Sequence, residues 1–461
     1  MNDQNSKVTP ASLLDGGWIR SASRVPVEIW HKILCIAISF PLLPQDDDGY
    51  PMCNEISRFD CAMIAKYKAC ERDRTKLQLV CRSWNSFLDN YSDRLVHFVI
   101  GAPNGYWPPI KHWDRVVRVQ GGNVHCNCMP ELCWPSTYHR DGFKHWMSDP
   151  KTLPSPKILT MQDSLPLLGS QLKAIAGSVS WASHWMTGQD RFGGLLMLTG
   201  VGTMDGNAFP SRLISTVHRA LTHLEITAET FWNPEHIFDL PKLRYLSFTA
   251  GTGRLPAAHT DIFGHWSLPC LQTLVLNITN SVEHDLRPIV DRLIGLVGSN
   301  VKHFVCKPPI SPGWLPVPAL PEDLWTRMPR LERIDADLTQ LATTPIPGGA
   351  PRLSLGINLA QILSFHNNVP AGVSNIPQQW LHAIGGPVLL DLPWRDLFTT
   401  LKAEDVIRRR SYGRKNAIFC AEAFDVLDLI GSGLQDSEGK CYDEHVRMQI
   451  CTIIRDRWLY S

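Results

Sequence analysis

One glycine-rich segment comes close to the spacing of a nucleotide site. Gly200-Val201-Gly202-Thr203-Met204-Asp205-Gly206 follows a candidate strand at Leu195–Thr199, and Glu225 stands in the next candidate strand. Glycines in such a turn let a pyrophosphate approach a helix N-terminus, so the segment resembles a dinucleotide fingerprint. The third glycine stands one place late, however, and Pro210 interrupts the expected helix start. We therefore expect no cofactor. A nucleotide-dependent enzyme stays only as a distant alternative to the binding function that the rest of the sequence indicates.

A second group of residues carries side chains that bind zinc. Thiolates and imidazoles are the usual zinc ligands in proteins. The group consists of His125, Cys126, Cys128, Cys133, His139 and His145. Cys126 and Cys128 form a Cys-x-Cys pair rather than the Cys-x-x-Cys pair that structural sites favour, and no second pair follows. The simpler interpretation is an irregular loop, and we expect no metal.

A third segment is basic, with Arg408-Arg409-Arg410 followed by Arg414 and Lys415. Such a run serves as a nuclear signal or a phosphate contact, but more often it is a solvated loop. The sequence has no Gly-x-Ser-x-Gly turn, no P-loop and no His-Glu-x-x-His helix. We therefore expect no enzyme, although a catalytic triad of scattered residues would escape a search by motif.

The composition limits the classes of partner. Of the 461 residues, 44% are hydrophobic and 19% are charged, which favours a buried core over disorder. Lys plus Arg total 45 against 44 for Asp plus Glu, so we expect no specific nucleic-acid partner. Because Met1–Gly17 lacks an apolar core and no long apolar stretch occurs, we also expect no membrane partner. The 13 cysteines without a regular framework favour a cytoplasmic and/or nuclear location.

The first predicted helix spans Val25–Ile38 and has a wide apolar face. Pro26 suits the first helical turn, and Glu28 lies favourably near the positive end of the helix dipole. The apolar side chains recur at three- and four-residue spacing; they are Ile29, Trp30, Ile33, Leu34 and Ala37. This face is wider than a small helical bundle needs for its own core, so part of it is a candidate interface.

Two further helices are predicted before residue 91. One lies around Phe59–Ala69 and the other spans Lys76–Asn90. The apolar stripe of the last helix consists of Leu77, Val80, Cys81, Trp84 and Leu88, and Leu79 lies off that stripe. Three short helices interrupted by a loop predict a compact N-terminal module.

Two phrases in these helices resemble the F-box. Val25-Pro26-Val27-Glu28-Ile29-Trp30 followed by Ile33-Leu34 is similar to its opening helix, and Leu79-Val80-Cys81-Arg82-Ser83-Trp84 is similar to its Val-Cys-Arg-x-Trp helix. The resemblance implies a non-catalytic protein that binds the Skp-type adaptor of an SCF ubiquitin ligase, and through it a cullin scaffold. The residues that it implicates in this contact are Pro26, Glu28, Ile29, Trp30, Ile33, Leu34, Leu79, Val80, Cys81, Arg82 and Trp84.

The spacing of the two phrases departs from the family pattern. Pro26 and Val80 are 54 positions apart, about twice the usual spacing, and Val25 stands where leucine is usual. We interpret the extra length, at about residues 41–75, as an insertion, which costs little in loop-closure entropy but could alter or block docking. The alternative is that both phrases are ordinary helices of one larger domain.

A repeat occupies residues 221–336. Its five copies are Leu221-x-x-Leu224-x-Ile226, Leu243-x-x-Leu246-x-Phe248, Leu271-x-x-Leu274-x-Leu276, Val301-x-x-Phe304-x-Cys306 and Leu331-x-x-Ile334-x-Ala336, at intervals of 22, 28, 30 and 30 residues. Three copies follow Leu240-Pro241, Leu268-Pro269 or Met328-Pro329. This pattern is typical of leucine-rich repeats, whose units stack into a solenoid because one unit cannot bury its own apolar face. An ordinary α/β domain rich in leucine is the alternative.

Weaker signals extend the repeat in both directions. Candidate strands lie at Lys157–Met161, Leu195–Thr199, Arg352–Ile357 and Val388–Leu392, which gives eight or nine units. The stretch Ser281–Val297 has helical periodicity through Leu286, Ile289, Leu293 and Leu296. Apolar stripes through Phe424–Ile430 and through Val446, Ile450, Ile453 and Trp458 predict helices at the C-terminal end.

These patterns together predict an α/β fold with a small N-terminal helical F-box-like module, an irregular leucine-rich-repeat solenoid and a helical C-terminal cap. The predicted units are a polar leader at 1–22, the helical module at 23–98, an irregular connector at 99–156, the solenoid at 157–400 and the cap at 401–461.

The function expected from this organisation is that of a substrate-recognition adaptor of an SCF-type ubiquitin ligase, with an unknown protein as its target. Candidate target-binding residues are Thr222, Arg244, Gln272 and Lys302. A leucine-rich-repeat interaction scaffold without a ligase link is the main alternative, and in it residues 25–90 would only cap the solenoid.

Overall fold

The structure is a computed structural model of the chain. It describes residues 25–40, 42–43, 61–92, 94–100, 112–123, 172–176, 194–201, 214, 217–227, 238–250, 266–278, 287–307, 320–336, 354–357, 387–390, 394, 397–398, 427, 431–436 and 438–458. Within these ranges the fold is mixed α/β, with a large parallel sheet and few helices. No helix in the same ranges has both the length and the apolar character needed to cross a membrane.

The described helices and strands are numbered in chain order. The helices are α1 (Val27–Ala37), α2 (Cys61–Gln78), α3 (Arg82–Asp89), α4 (Arg287–Val297), α5 (Leu324–Arg327) and α6 (Glu444–Trp458). The strands are β1 (Leu95–Ile100), β2 (Arg118–Asn123), β3 (Ala174–Ala176), β4 (Met197–Val201), β5 (His223–Thr227), β6 (Phe238–Asp239), β7 (Tyr245–Ala250), β8 (Trp266–Ser267), β9 (Thr273–Ile278), β10 (His303–Lys307), β11 (Arg333–Asp335), β12 (Ser354–Ile357), β13 (Val388–Leu390) and β14 (Leu434–Gln435).

Twelve of these strands form one parallel sheet whose order follows the sequence. β6 and β8 are omitted from that order because they pair with each other in a separate parallel sheet. One register position of the large sheet holds a buried apolar side chain on successive strands, which we name the central ladder. Its members are Val119, Ile175, Leu198, Leu224, Leu246, Leu274, Phe304, Ile334, Leu355, Val388 and Leu434. The middle residue of each predicted repeat copy therefore lies in one continuous core.

The recurring proline phrases form turns that lead into strands. The backbone N–H of Leu243 donates to the carbonyl of Leu240 at 3.1 Å, and Leu271 donates to Leu268 at 3.2 Å. Leu331 likewise donates to Met328 at 3.2 Å. In each turn the proline is the second residue, where its fixed φ suits the turn and its missing N–H is not needed.

The sheet is longer than the sequence patterns predict. β4, β12 and β13 confirm three weaker candidate strands with shifted bounds, whereas Lys157–Met161 lies outside the described residues. β2 falls within the segment predicted as an irregular connector, and β14 falls within the predicted helical cap. The sheet has twelve strands in the described ranges, more than the nine candidate strands of the sequence, because β1, β2, β3 and β14 lack the leucine template and join the sheet through backbone pairing.

The apolar stripe predicted for α4 coincides only in part with its buried face. Val290, Leu293, Ile294 and Val297 are buried, whereas Leu296 is exposed. Leu286 and the side chain of Ile289 lie outside what the structure describes. The buried set has the three- and four-residue spacing of a single helical stripe, and Leu296 lies beside that stripe rather than on it.

The chain beyond β13 packs around a buried aspartate. Asp436 accepts hydrogen bonds from the backbone N–H groups of Trp394 (3.1 Å), Glu438 (2.9 Å) and Lys440 (2.8 Å). In α6, two residues of the predicted apolar stripe, Val446 and Ile450, are buried. The side chains of Ile453 and Trp458 are outside the described set.

An ion cluster joins the two neighbouring strands β10 and β11. The carboxylate of Asp335 accepts from Arg333 Nε (2.7 Å) and Nη2 (2.9 Å), and from His303 Nε2 (3.2 Å). Burial by itself would raise the pKa of Asp335, but the hydrogen bond and charge of His303, together with Arg333, lower it to about 2. Because this pKa lies below that of the unfolded chain, the ionised carboxylate stabilises the fold above about pH 4.

We expect this stabilisation to disappear as the pH falls from about 4 toward 2, with a contribution of about 2 kcal/mol from Asp335. Urea unfolding at a series of pH values measures it. Asp335→Asn should lower stability at pH 5 and flatten the acid limb of the pH profile relative to wild type. If Asp335→Asn loses stability in acid as steeply as wild type does, the Asp335 carboxylate is not stabilised by Arg333 and His303.

Candidate partner-binding surfaces

The N-terminal helices differ from the predicted ones at one decisive place. α1 confirms the first predicted helix and begins directly after Pro26, whose carbonyl accepts from Ile29 (3.0 Å) and Trp30 (3.3 Å). The prediction of a continuous third helix over Lys76–Asn90 was wrong, since α2 runs on to Gln78 and α3 begins at Arg82. An extended backbone at Cys81 separates the two helices.

This break separates the residues that were predicted to share one stripe. Val80 and Cys81 are exposed in the link, whereas Leu88 is fully buried in α3. Periodicity alone did not reveal the break because the link contains no glycine or proline. α3, which follows the break, packs against α1.

Aromatic contacts hold α1 against α3. The rings of Trp30 and Trp84 lie with centroids 5.3 Å apart, and His31 stacks on Phe87 at 3.8 Å. Leu34 is fully buried. Of the predicted partner-binding residues, Leu34 therefore belongs to the core, and Trp30 and Trp84 are half-buried in the helix contact. The other predicted residues are exposed: Pro26, Glu28, Ile29, Ile33, Leu79, Val80, Cys81 and Arg82.

The opposite side of α1 is apolar and exposed. Ile29, Ile33 and Ile36 recur at four- and three-residue spacing, so they form one stripe, and their exposed fractions are 47%, 44% and 68%. Leu79 and Val80, which lead into α3, are 83% and 60% exposed. We name these five residues the exposed apolar set. Ile36 was not among the predicted contacts, although its spacing from Ile33 was a signal for it.

The helical module packs on the beginning of the sheet. Leu42, Leu95 and Val117 form a buried cluster, with Phe40 and Tyr67 packed against it. Beside this cluster, Arg118 is completely buried; its Nη1 donates to the Leu42 carbonyl at 3.1 Å, and its Nη2 donates to Gln120 Oε1 at 2.8 Å. Burial lowers the pKa of the Arg118 guanidinium. The chain after α1 is thereby fixed to the sheet.

The four predicted target-binding residues lie in one row. The N–H of Arg244 donates to the Thr222 carbonyl at 2.9 Å, Gln272 donates to Arg244 at 2.9 Å, and Lys302 donates to Gln272 at 2.8 Å. The row continues to Glu332, whose N–H donates to Lys302 at 2.7 Å. Arg244 is exposed and the other three predicted residues are half-buried. The strands of the sheet begin at this row, and we call this edge of the sheet the strand-start edge.

The row lies at the start of the strands and not on their open face. The repeat pattern predicts that these residues face outward on the strands, but the alternating residues that follow them, His223, Tyr245, Thr273 and His303, are buried. Both faces of the central strands are therefore covered, as is usual in parallel sheets. A partner can reach this part of the sheet along the strand-start edge.

Most residues of the three candidate chemical sites lie outside the described residues. Gly200 and Val201 end β4, and the rest of the glycine-rich segment lies outside the described residues. The cysteine and histidine group at 125–145 and the basic run at 408–415 also lie outside them. Within the described ranges, no three His, Cys, Asp or Glu residues come together in a way that could hold a metal ion.

Comparison with known proteins gives no relative for this chain. No protein-family model, no curated protein and no solved structure matches it.

Proposed function

We propose that the chain is a substrate-recognition adaptor of an SCF-type ubiquitin ligase. In this proposal the N-terminal helices bind a Skp-type adaptor, and through it a cullin scaffold, while the repeat domain binds a protein target. The observation that carries the proposal is the exposed stripe Ile29, Ile33 and Ile36 on a helix whose other side is already packed.

The stripe has the properties of a helix that fills a partner's groove. Anchors at positions i, i+4 and i+7 are the usual arrangement when an amphipathic helix lies in an apolar groove. Several large aliphatic side chains exposed close together on a water-soluble module favour a binding surface over an ordinary solvated face. Leu79 and Val80 add apolar surface at the start of α3, where the second F-box-like phrase lies.

The second half of the proposal concerns the sheet. Parallel strands in strict sequence order, a central ladder and the recurring Leu-Pro turns support a leucine-rich-repeat-type solenoid. Such a domain has a long surface on which a target can lie. Its contribution to ubiquitin transfer would be proximity, since holding a target beside an associated enzyme raises its effective concentration.

Binding of the intact chain to a purified Skp-type adaptor tests the proposal. We expect Ile29→Asp/Ile33→Asp to weaken this binding by about 100-fold or more, because charged side chains would replace two central apolar anchors. Since both residues are exposed, the melting temperature should change little.

The matched control is Leu296→Asp, which introduces a carboxylate at an exposed leucine on α4 and should leave binding unchanged. Failure of the intact chain to bind, or equal binding by the double variant, would contradict the ligase link. The remaining function would then be that of a repeat scaffold, in which the separation of the two F-box-like phrases prevents docking.

A further inference from the structure

Exposed cations flank the Leu79–Val80 end of the exposed apolar set. The N–H of Leu79 donates to the Lys76 carbonyl at 3.1 Å, so Leu79 continues the last turn of α2. Helical spacing of three and seven residues therefore places Lys76 and Arg72 on the same side of the chain as Leu79. Arg82, two residues after Val80, is the first residue of α3. All three cations are exposed.

The ion pair within α2 does not balance these cations. Lys76 Nζ lies 2.9 Å from Asp73 Oδ1, and the hydrogen bond and charge of Lys76, together with the charge of Arg72, lower the pKa of Asp73. One exposed carboxylate is thus shared by two cations. Within the described ranges Arg82 forms no ion pair. Three cations and one carboxylate therefore leave a net charge of +2 at this end of the exposed apolar set.

The neighbouring charges of the helical module cancel. Glu28 and Lys32 are both exposed and lie one turn apart on α1, where Lys32 borders the isoleucine stripe. On α2, Arg74 Nη2 lies 2.7 Å from Glu71 Oε2. The stripe of α1 is therefore electrically neutral, and the excess of positive charge is confined to the other end of the exposed apolar set.

This arrangement of apolar and charged side chains resembles that of a protein interface. Such interfaces place apolar side chains at the centre, where water is excluded, and charged side chains at the rim, where they stay hydrated. Partner surfaces have complementary potentials, so a positive rim on one side faces a negative rim on the other. The partner that fits here has an apolar groove with carboxylates at one end.

The composition of α1 disfavours a lipid surface as the occupant. Helices that lie on membranes carry several Lys and Arg residues on the polar face and Trp, Phe or Leu on the apolar face. α1 has one lysine and one glutamate, and its single tryptophan, Trp30, packs on Trp84 with ring centroids 5.3 Å apart. A protein groove therefore fits the exposed apolar set better than a membrane does.

We infer that the Skp-type adaptor carries carboxylates beside its apolar groove, where they face Arg72, Lys76 and Arg82, and that these charges set the rate of docking. The inference rests on the proposed function, because it names the chemistry of the surface that the exposed apolar set binds. Exposed rim charges act over a distance and mainly raise the rate of association. The apolar contacts at the centre mainly determine the rate of dissociation.

Binding kinetics of the intact chain and a purified Skp-type adaptor test this inference, measured at about 20 mM and about 500 mM NaCl. We expect Arg72→Glu/Arg82→Glu to lower the association rate constant about tenfold at low salt, and we expect high salt to remove most of that difference. The dissociation rate constant should change little. Ile29→Asp/Ile33→Asp should instead raise the dissociation rate constant, because it removes central apolar contacts.

Two further variants keep the result interpretable. Arg219→Glu/Lys242→Glu makes the same change in net charge at exposed positions on the sheet, and it should associate like wild type. Arg72→Gln/Arg82→Gln removes the charges without adding carboxylates and should show a smaller loss. A glutamate at position 82 suits the first turn of α3, so the charge-reversed protein should fold. If its melting temperature falls, the Gln variant provides the same test.

The outcomes separate this inference from the ligase proposal. Association of the Arg72/Arg82 variants at the wild-type rate, or a loss that is equally large at high salt, would overturn the inference and leave the ligase link intact. Failure of the wild-type chain to bind the adaptor would remove both. Binding to phosphatidylcholine vesicles with phosphatidylserine in about a 4:1 ratio, lost in Arg72→Glu/Arg82→Glu, would also overturn it and assign these cations to a membrane surface.

Discussion

Replacing Phe304 by alanine is expected to lower the free energy of unfolding by about 3–5 kcal/mol. Phe304 is fully buried in the central ladder between Leu274 and Ile334. Alanine would remove most of the side chain, and its neighbours are fixed by backbone pairing on both sides, so the cavity can close only in part. Urea unfolding followed by circular dichroism measures the loss.

Leu296→Ala on α4 is the control for this substitution. Leu296 is also a large apolar residue, but it is 39% exposed, and its truncation should cost less than about 1 kcal/mol. Similar losses for the two variants would mean that Phe304 does not lie at the centre of a continuous core.

Gly356→Ala is expected to destabilise the protein by about 3 kcal/mol although it adds one methyl group. A Cβ placed on Gly356 of β12 would overlap the carboxylate of Asp335 on β11. That carboxylate is held on both oxygens by Arg333, and one oxygen also accepts from His303. The aspartate therefore cannot turn aside without giving up a largely buried ion pair.

The chain offers a matched control in Gly433. Among the described residues, no atom beyond its chain neighbours lies within 4 Å of a Cβ built there, so Gly433→Ala should leave the midpoint of thermal unfolding nearly unchanged. The double variant Gly356→Ala/Asp335→Ala should lose less stability than the sum of its single changes, because the clash disappears with the carboxylate. Additive losses would contradict the proposed clash.

The middle of the sheet could be predicted from sequence because its strands repeat one template. The copies beginning at Leu221, Leu243, Leu271, Val301 and Leu331 place an apolar residue on the central ladder every time. The outer strands could not be predicted in this way. β3 is the three-residue strand Ala174–Ala176, which has no large apolar side chain at either end and is held by backbone pairing with its neighbours.

The partner-binding surface of α1 could be predicted only in part, and the physical reason differs from that for the sheet. The apolar width of α1 was visible in its spacing, but spacing does not tell which part of a wide face packs inward. That choice depends on the position of α3, which is set by the break at Leu79–Cys81. Consequently Leu34 was assigned to the partner contact although it is in the core, and Ile36 was omitted although it is exposed.

A single repeat does not show which face of the sheet is free to bind a partner. Alternation along each strand predicts an outward face, but whether that face is free depends on what covers it. His223, Tyr245, Thr273 and His303 occupy that face and are buried. Exposed charge lies instead at Arg244 and its neighbours before the strands, where the repeat template constrains side chains least.

We propose that the exposed apolar set of α1 and the Leu79–Val80 link binds a Skp-type adaptor. Amide hydrogen exchange of the intact chain with and without a saturating Skp-type adaptor tests it most directly. We predict slower exchange within Val27–Ala37 and at residues 79–84, with the exchange of β5 to β11 unchanged. Unchanged exchange in α1, or slower exchange confined to the strand-start edge, would contradict the claim.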